Sequence, residues 1–133
     1  MIADNSTEPP HSGTWDAWLD GYSKATTDTL AQTVTIPAGI TSATLTYWMH
    51  IDTKQTTTTS KIDTLKLQIL NSSGTVLRTV YTYSNLNAAS GYQQHSATLT
   101  SYKGQTITIK FTGVQTTSTK TSFVLDDFSL TTK

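Results

Sequence analysis

The chain has 133 residues, nine basic against nine acidic side chains, no cysteine and 35% hydrophobic residues. That length suits one domain of roughly 100–150 residues, and the balanced charge excludes the basic stripe a nucleic-acid binder needs. The lack of cysteine excludes a disulfide framework, a zinc–thiolate site and a thiol nucleophile, and no apolar run approaches the ~20 residues of a membrane span.

Threonine accounts for 30 positions and serine for 14, while Glu8 is the sole glutamate. Threonine is β-branched and suits a pleated surface. Charged residues make up 14% of the chain, well below the usual quarter, so solubility rests on hydroxyls and amides. This style of surface is associated with exported microbial proteins, and a secreted, extracellular setting is expected.

In chain order, residues 1–12 are polar, carry Pro9-Pro10 and show no periodicity. They read as a linker remnant or tag junction, with the ordered domain over 13–133. Trp15–Leu19 is a short apolar run stopped by the turn pair Asp20-Gly21. Thr29–Ile36 alternates and is ended by Pro37 and Gly39. Ala43–Ile51 has the clearest period of two, with Ala43, Leu45, Tyr47, Met49 and Ile51 on one face and Trp48 and His50 on the other. Leu65, Leu67 and Ile69 alternate with Lys66 and Gln68, and Asn71–Gly74 makes a hairpin connection to Thr75–Tyr83. Tyr92–Leu99, Gln105–Thr112 and Ser122–Thr131 complete the set. No window shows apolar recurrence at three and four. The spacing predicts an all-β, antiparallel, jelly-roll-like sandwich of about eight strands.

Two Thr-rich stretches, Gln55–Ser60 and Gln115–Thr121, read as mobile loops. In the last strand the apolar parity switches across Asp126-Asp127. A β-bulge there would keep both halves of the strand facing the core.

Hydroxyls are plentiful, but a nucleophile needs a base held by an orienting group. His11, His50 and His95 lie in the linker and two strands with no hydrolase motif around them. Carboxylates form a better lead. Asp52 follows the third strand, Asp63 opens the fourth and Asp126-Asp127 share the last; where strand ends converge, such hard oxygen ligands could hold calcium. The same residues could instead be structural, accepting backbone N–H bonds. Aromatic side chains are the other lead: Trp15, Trp18, Tyr22 and Trp48 combine an apolar face with a polar tip, which suits either a sugar or peptide platform or core packing.

The runs Gly13–Gly21, Thr33–Pro37, Leu45–Thr53, Tyr83–Leu86 and Thr121–Leu130 resemble the β-sandwich accessory domains on the C-terminal side of secreted bacterial serine peptidases, kumamolisin-like and subtilisin-like. The double-Trp opening and the Asp-Asp ending are its most specific parts. The resemblance implies a non-catalytic module that binds a polysaccharide, a protein polymer or a surface glycan beside a parent enzyme in cis. The alternative is a structural or adhesive spacer with no small ligand. The resemblance also implies acidic residues where Gln55, Gln115 and Thr116 stand. Their replacement counts against calcium here, and it suggests a domain suited to acid, where fewer carboxylates must be protonated.

Overall fold

The computed structural model describes residues 2–3 and 7–133. Its strands are β1 (Ile2–Ala3), β2 (Asp16–Asp20), β3 (Thr26–Thr35), β4 (Ala43–Thr53), β5 (Thr64–Leu70), β6 (Val76–Ser84), β7 (Gln93–Thr98), β8 (Thr106–Gln115) and β9 (Thr121–Thr132). One sheet has the order β1-β2-β9-β4-β7 and the other β3-β8-β5-β6. All pairings are antiparallel. The fold is the expected all-β sandwich, with two short 3-10 turns at Asn85–Asn87 and Thr100–Tyr102.

Period-two patterning explains the packing. Alternate residues of β4, β5 and β8 are buried, and Tyr47, Leu65, Leu67, Ile69, Phe111 and Phe123 fill the space between the sheets. The hairpin at 71–74 forms as expected: Asn71 Oδ1 accepts from the backbone N–H of Ser73 and Thr75, and Gly74 takes φ 86°. The bulge also forms. Thr46 pairs with Ser129 and Trp48 with Asp126, so Tyr47 faces both Asp127 and Phe128. Asp127 absorbs the extra residue at φ 50°.

Tyr47 shows how a polar tip is accommodated in this core. Its hydroxyl lies 2.6 Å from that of Tyr83, and burial holds both phenols well above their usual pKa. Replacing Tyr47 by Phe strands the Tyr83 hydroxyl in the core. The expected cost is about 1–3 kcal/mol, read by urea unfolding.

Two expectations need correction. The ordered chain does not begin near Gly13. Glu8 is only 4% exposed, and Tyr92 Oη donates to Pro9 O at 2.8 Å, so the proline-containing segment lies against the sandwich. Pro9-Pro10 holds that stretch extended at little entropic cost. Gln115 is not a loop residue either. It ends β8 at 1% exposure, because its amide is used by the surrounding backbone.

Candidate functional site

The outer face of the five-stranded sheet is built by the positions that alternate with core residues. On β2, Asp16 and Trp18 flank the core residue Ala17. On β9, Val124 lies beside Trp18 and His50 in register. On β4, Trp48, His50 and Asp52 point outward because Tyr47, Met49 and Ile51 point inward. Trp48 pairs with Asp126 on one side and with Gln94 of β7 on the other. Two indoles, an imidazole, an amide and several carboxylates therefore share one surface.

The segment from Glu8 to Ser12 lies across this surface. The His11 ring stacks on Trp48 with centroids 4.0 Å apart and an interplanar angle of 14°, and it meets Tyr92 at 5.2 Å. His11 Nδ1 donates to Asp127 Oδ2 at 2.6 Å, and Ser12 Oγ donates to Asp127 Oδ1 at 2.6 Å. Ser12 N donates to Asp126 Oδ2 at 3.1 Å. The His11 and Ser12 bonds hold the Asp127 carboxyl below its usual pKa. Asp126 and Asp127 thus meet the donors expected for adjacent carboxylates, although neither is buried.

His50 donates through Nδ1 to Gly91 O at 2.9 Å and turns Nε2 toward Glu8 Oε2 at 3.7 Å. Burial raises the Glu8 pKa, and the neighbouring Asp52 raises it further. The Tyr92 phenol is also pushed up, first by burial and then by the carboxylates around it, so it remains a hydrogen-bond donor.

Of the four aromatics expected at a ligand site, only Trp18 and Trp48 share this face. Both are half-buried and neither belongs to the core. Trp15 is 59% exposed and rims a groove of about 480 Å³ at the open edge between the sheets, lined by Leu30, Val34, Phe111, Phe128 and Leu130 and bordered by Asp16 and Asp126, which it shares with this face. Those walls are mostly apolar, with Gln32 and Ser129 as their further polar side chains. Tyr22 is used through its backbone carbonyl, which accepts from Gln115 Nε2 at 2.6 Å. The residues the sequence reading missed are Glu8, Ser12, Asp16 and Gln94, while His11 was weighed only as a possible catalytic histidine and Tyr92 only as one of many aromatics. For the segment around His11, Pro9-Pro10 was the available signal, since two prolines favour an extended, docking-ready backbone.

The four aspartates considered for calcium do not converge. Asp52 sits beside Glu8, Asp126 and Asp127 hold Ser12 and His11, and Asp63 is buried at the loop end of the sandwich. The Asp63 carboxylate accepts from Gln55 Nε2 at 3.0 Å, Thr116 N at 3.0 Å and Thr121 Oγ1 at 2.5 Å. Beside it, Gln115 Nε2 faces the carbonyls of Tyr22, Lys24 and Thr117 at 2.6, 3.0 and 2.9 Å. Amide N–H groups occupy the positions from which oxygen ligands would hold a cation, so these residues do not fit calcium. Among the described residues no cluster of three or more His, Cys, Asp or Glu side chains could hold a metal ion, and no helix is long and apolar enough to cross a membrane.

No protein-family model matches this sequence, and no curated protein matches it significantly. Solved structures do. A family 61 carbohydrate-binding module in complex with β-1,4-galactotriose aligns with a TM-score of 0.65 at 17% identity, over 92% of this chain and 74% of the module. A family 16 carbohydrate-binding module aligns with a TM-score of 0.53 at 16% identity, over 98% of this chain and 84% of the module. The enzymatically active domain of bacteriophage CBA120 tailspike protein 4 aligns with a TM-score of 0.62 at 9% identity, where 99% of this chain corresponds to 17% of the tailspike domain. At these identities the likeness is one of fold: this chain shares the β-sandwich of carbohydrate-binding modules.

Proposed function

We propose that this chain is a non-catalytic glycan-binding module whose site is the outer face of the five-stranded sheet. The observation that carries this reading is the placement of Trp18 and Trp48 on the same face as Asp16, Asp52, Gln94 and Asp126. Indole faces stack on the apolar C–H surface of a sugar ring, while carboxylates and amides accept and donate to its hydroxyls. The sandwich it shares with modules of families 61 and 16 supports the same reading. Reaction chemistry has no support at this face. The Ser12 hydroxyl donates a hydrogen bond to Asp127, and His11 is bonded to the same carboxylate, so the histidine is not positioned as a base for the serine. The module belongs, in this reading, to a secreted bacterial protein and sits beside a parent enzyme, with a serine peptidase as the host the sequence resemblance implies.

The test is titration calorimetry against soluble β-1,4-galactan, xylan, mixed-linkage β-glucan and denatured casein. Binding to at least one polysaccharide is expected, and Trp48→Ala should weaken it at least tenfold, about 1.4 kcal/mol. Binding to casein alone would replace the glycan with a protein polymer. Binding to none of the four, by the wild type or by variants in which residues 8–12 no longer cover this face, would leave the spacer reading.

A further inference from the structure

The face assigned to the ligand is covered by the chain itself. Residues 8–12 cross it on a series of anchors. The Glu8 carboxyl is buried beside Asp52 and His50. Pro9 O accepts from Tyr92 Oη at 2.8 Å, and the His11 ring lies flat on Trp48 at 4.0 Å. Asp126 and Asp127 take the donors of Ser12 and His11 at 2.6–3.1 Å.

Two of these anchors use groups that a sugar would use. A flat ring stacked parallel to an indole at van der Waals distance is the geometry in which a pyranose meets tryptophan, and bonds from N–H and O–H donors to Asp126 and Asp127 are those a sugar's hydroxyls would make. The contact is held without a large apolar surface. His11 and Ser12 are exposed apart from their contacts, bonds at an exposed edge contribute only about 0.5–1.5 kcal/mol each, and Glu8 is the one deeply buried anchor. Such a segment can be displaced without unfolding the sandwich, whose core does not include it.

We propose that residues 7–12 form an intramolecular strap that competes with the ligand, with the His11 ring standing in for a sugar ring on Trp48, so that glycan binding requires the strap to lift. This rests on the assignment of the sheet face as the glycan site. A ligand then binds with its intrinsic affinity reduced by the fraction of molecules in which the strap is raised. Anything that holds residues 7–12 elsewhere, such as a neighbouring domain bound to this segment, would switch the module on.

The experiment uses the full chain and two variants, His11→Ala and the double variant His11→Ala/Ser12→Ala. Without ligand, the Trp48 indole resonance, identified by its loss in Trp48→Phe, should shift as the stacked ring is removed. Amide exchange over residues 9–12 should accelerate, while Tm changes by no more than a few degrees. With soluble β-1,4-galactan, or whichever polysaccharide the wild type or a variant binds, affinity should rise at least tenfold in the double variant and by a smaller factor in His11→Ala. Equal or weaker affinity in the double variant overturns the strap and leaves the glycan assignment standing. If neither the wild type nor the variants bind any polysaccharide, the glycan assignment fails and the strap falls with it as a regulatory device.

Discussion

The domain should lose stability as pH rises from about 4 to about 7, and Asp20→Asn should abolish most of that loss. Asp20 closes β2 at 2% exposure, and its carboxylate oxygens are buried with no hydrogen bond of good geometry, only a weak one from the Asp28 backbone. Its side chain is wedged between the sheets against Gly113, where a Cβ would stand 2.6 Å from Asp20 Oδ2. Burial first, then the charges of Asp28 and Asp63, raise its pKa to about 7 against the opposing pull of a hydrogen bond from the Asp28 backbone. The ordinary value is 3.8. Between these limits the folded chain holds a proton that the unfolded chain has released, so stability is greatest below the lower value and falls until the upper one is reached. The full difference approaches about 4 kcal/mol.

Glu8, whose pKa is also raised, acts in the same direction. His95 opposes both, because burial lowers its pKa and its contribution is lost as pH falls. Asp127, with a pKa lowered from 3.8 at an exposed position, exerts its opposite effect only below this pH window. Urea unfolding at intervals between pH 4 and 8 reads the net effect. Asparagine suits the test because it tolerates the φ of 61° at this position and carries no charge at any pH. The variant should be more stable than the wild type at pH 8 and show a flatter profile. Parallel profiles for the two proteins would refute the argument. This buried acid gives a physical basis for the acid preference inferred from the loss of carboxylates at Gln55, Gln115 and Thr116. The source differs, however: it is a carboxyl held neutral in the fold, not the absence of the carboxylates that the resemblance implies.

Strand positions were legible because threonine and aliphatic residues alternate strictly, and the bulge was legible because parity in β9 breaks between Leu125 and Phe128. Parity alone also separates Trp15 from Trp18, three residues apart and therefore on opposite sides of an extended chain. What parity cannot supply is the register between distant strands. Trp18 joins His50 only through Val124 of β9, a pairing set by more than a hundred residues of intervening fold. Residues 8–12 were read as linker because they are polar and aperiodic. They dock through single hydrogen bonds and one ring stack, and these leave no hydrophobic pattern. Asp20 was visible only as half of a turn pair. The same left-handed backbone that makes Asp20-Gly21 a turn aims the carboxyl into the sandwich, where its burial depends on a glycine 93 residues away, Gly113. Gln115 was hidden by its threonine-rich neighbours, and its importance lies in backbone groups that no composition reveals.

Removing the Gln115 side chain should therefore cost about 3–5 kcal/mol, more than most surface-strand substitutions. Its Oε1 accepts from Gly21 N at 3.0 Å and Thr121 N at 3.4 Å, which fixes the amide orientation and turns Nε2 toward three carbonyls. One side chain thus joins the β2–β3 turn, the end of β8 and the start of β9. Gln115→Ala leaves those backbone groups without their partner and opens a cavity, and equilibrium unfolding should register both. Gln115→Glu is nearly the same shape and separates the two contributions. Its carboxylate keeps the acceptor facing Gly21 and Thr121 but sets a second oxygen against three carbonyl oxygens, so Tm should fall although no volume is lost. Millimolar calcium should recover part of that fall in Gln115→Glu, because a cation can occupy an all-oxygen cage. Calcium and chelator alike should leave the wild-type Tm unchanged, because the amide protons already fill the space. A wild-type Tm that falls on adding chelator, or a Gln115→Ala variant as stable as the parent, would show that the amide does not hold the loop end of this sandwich together.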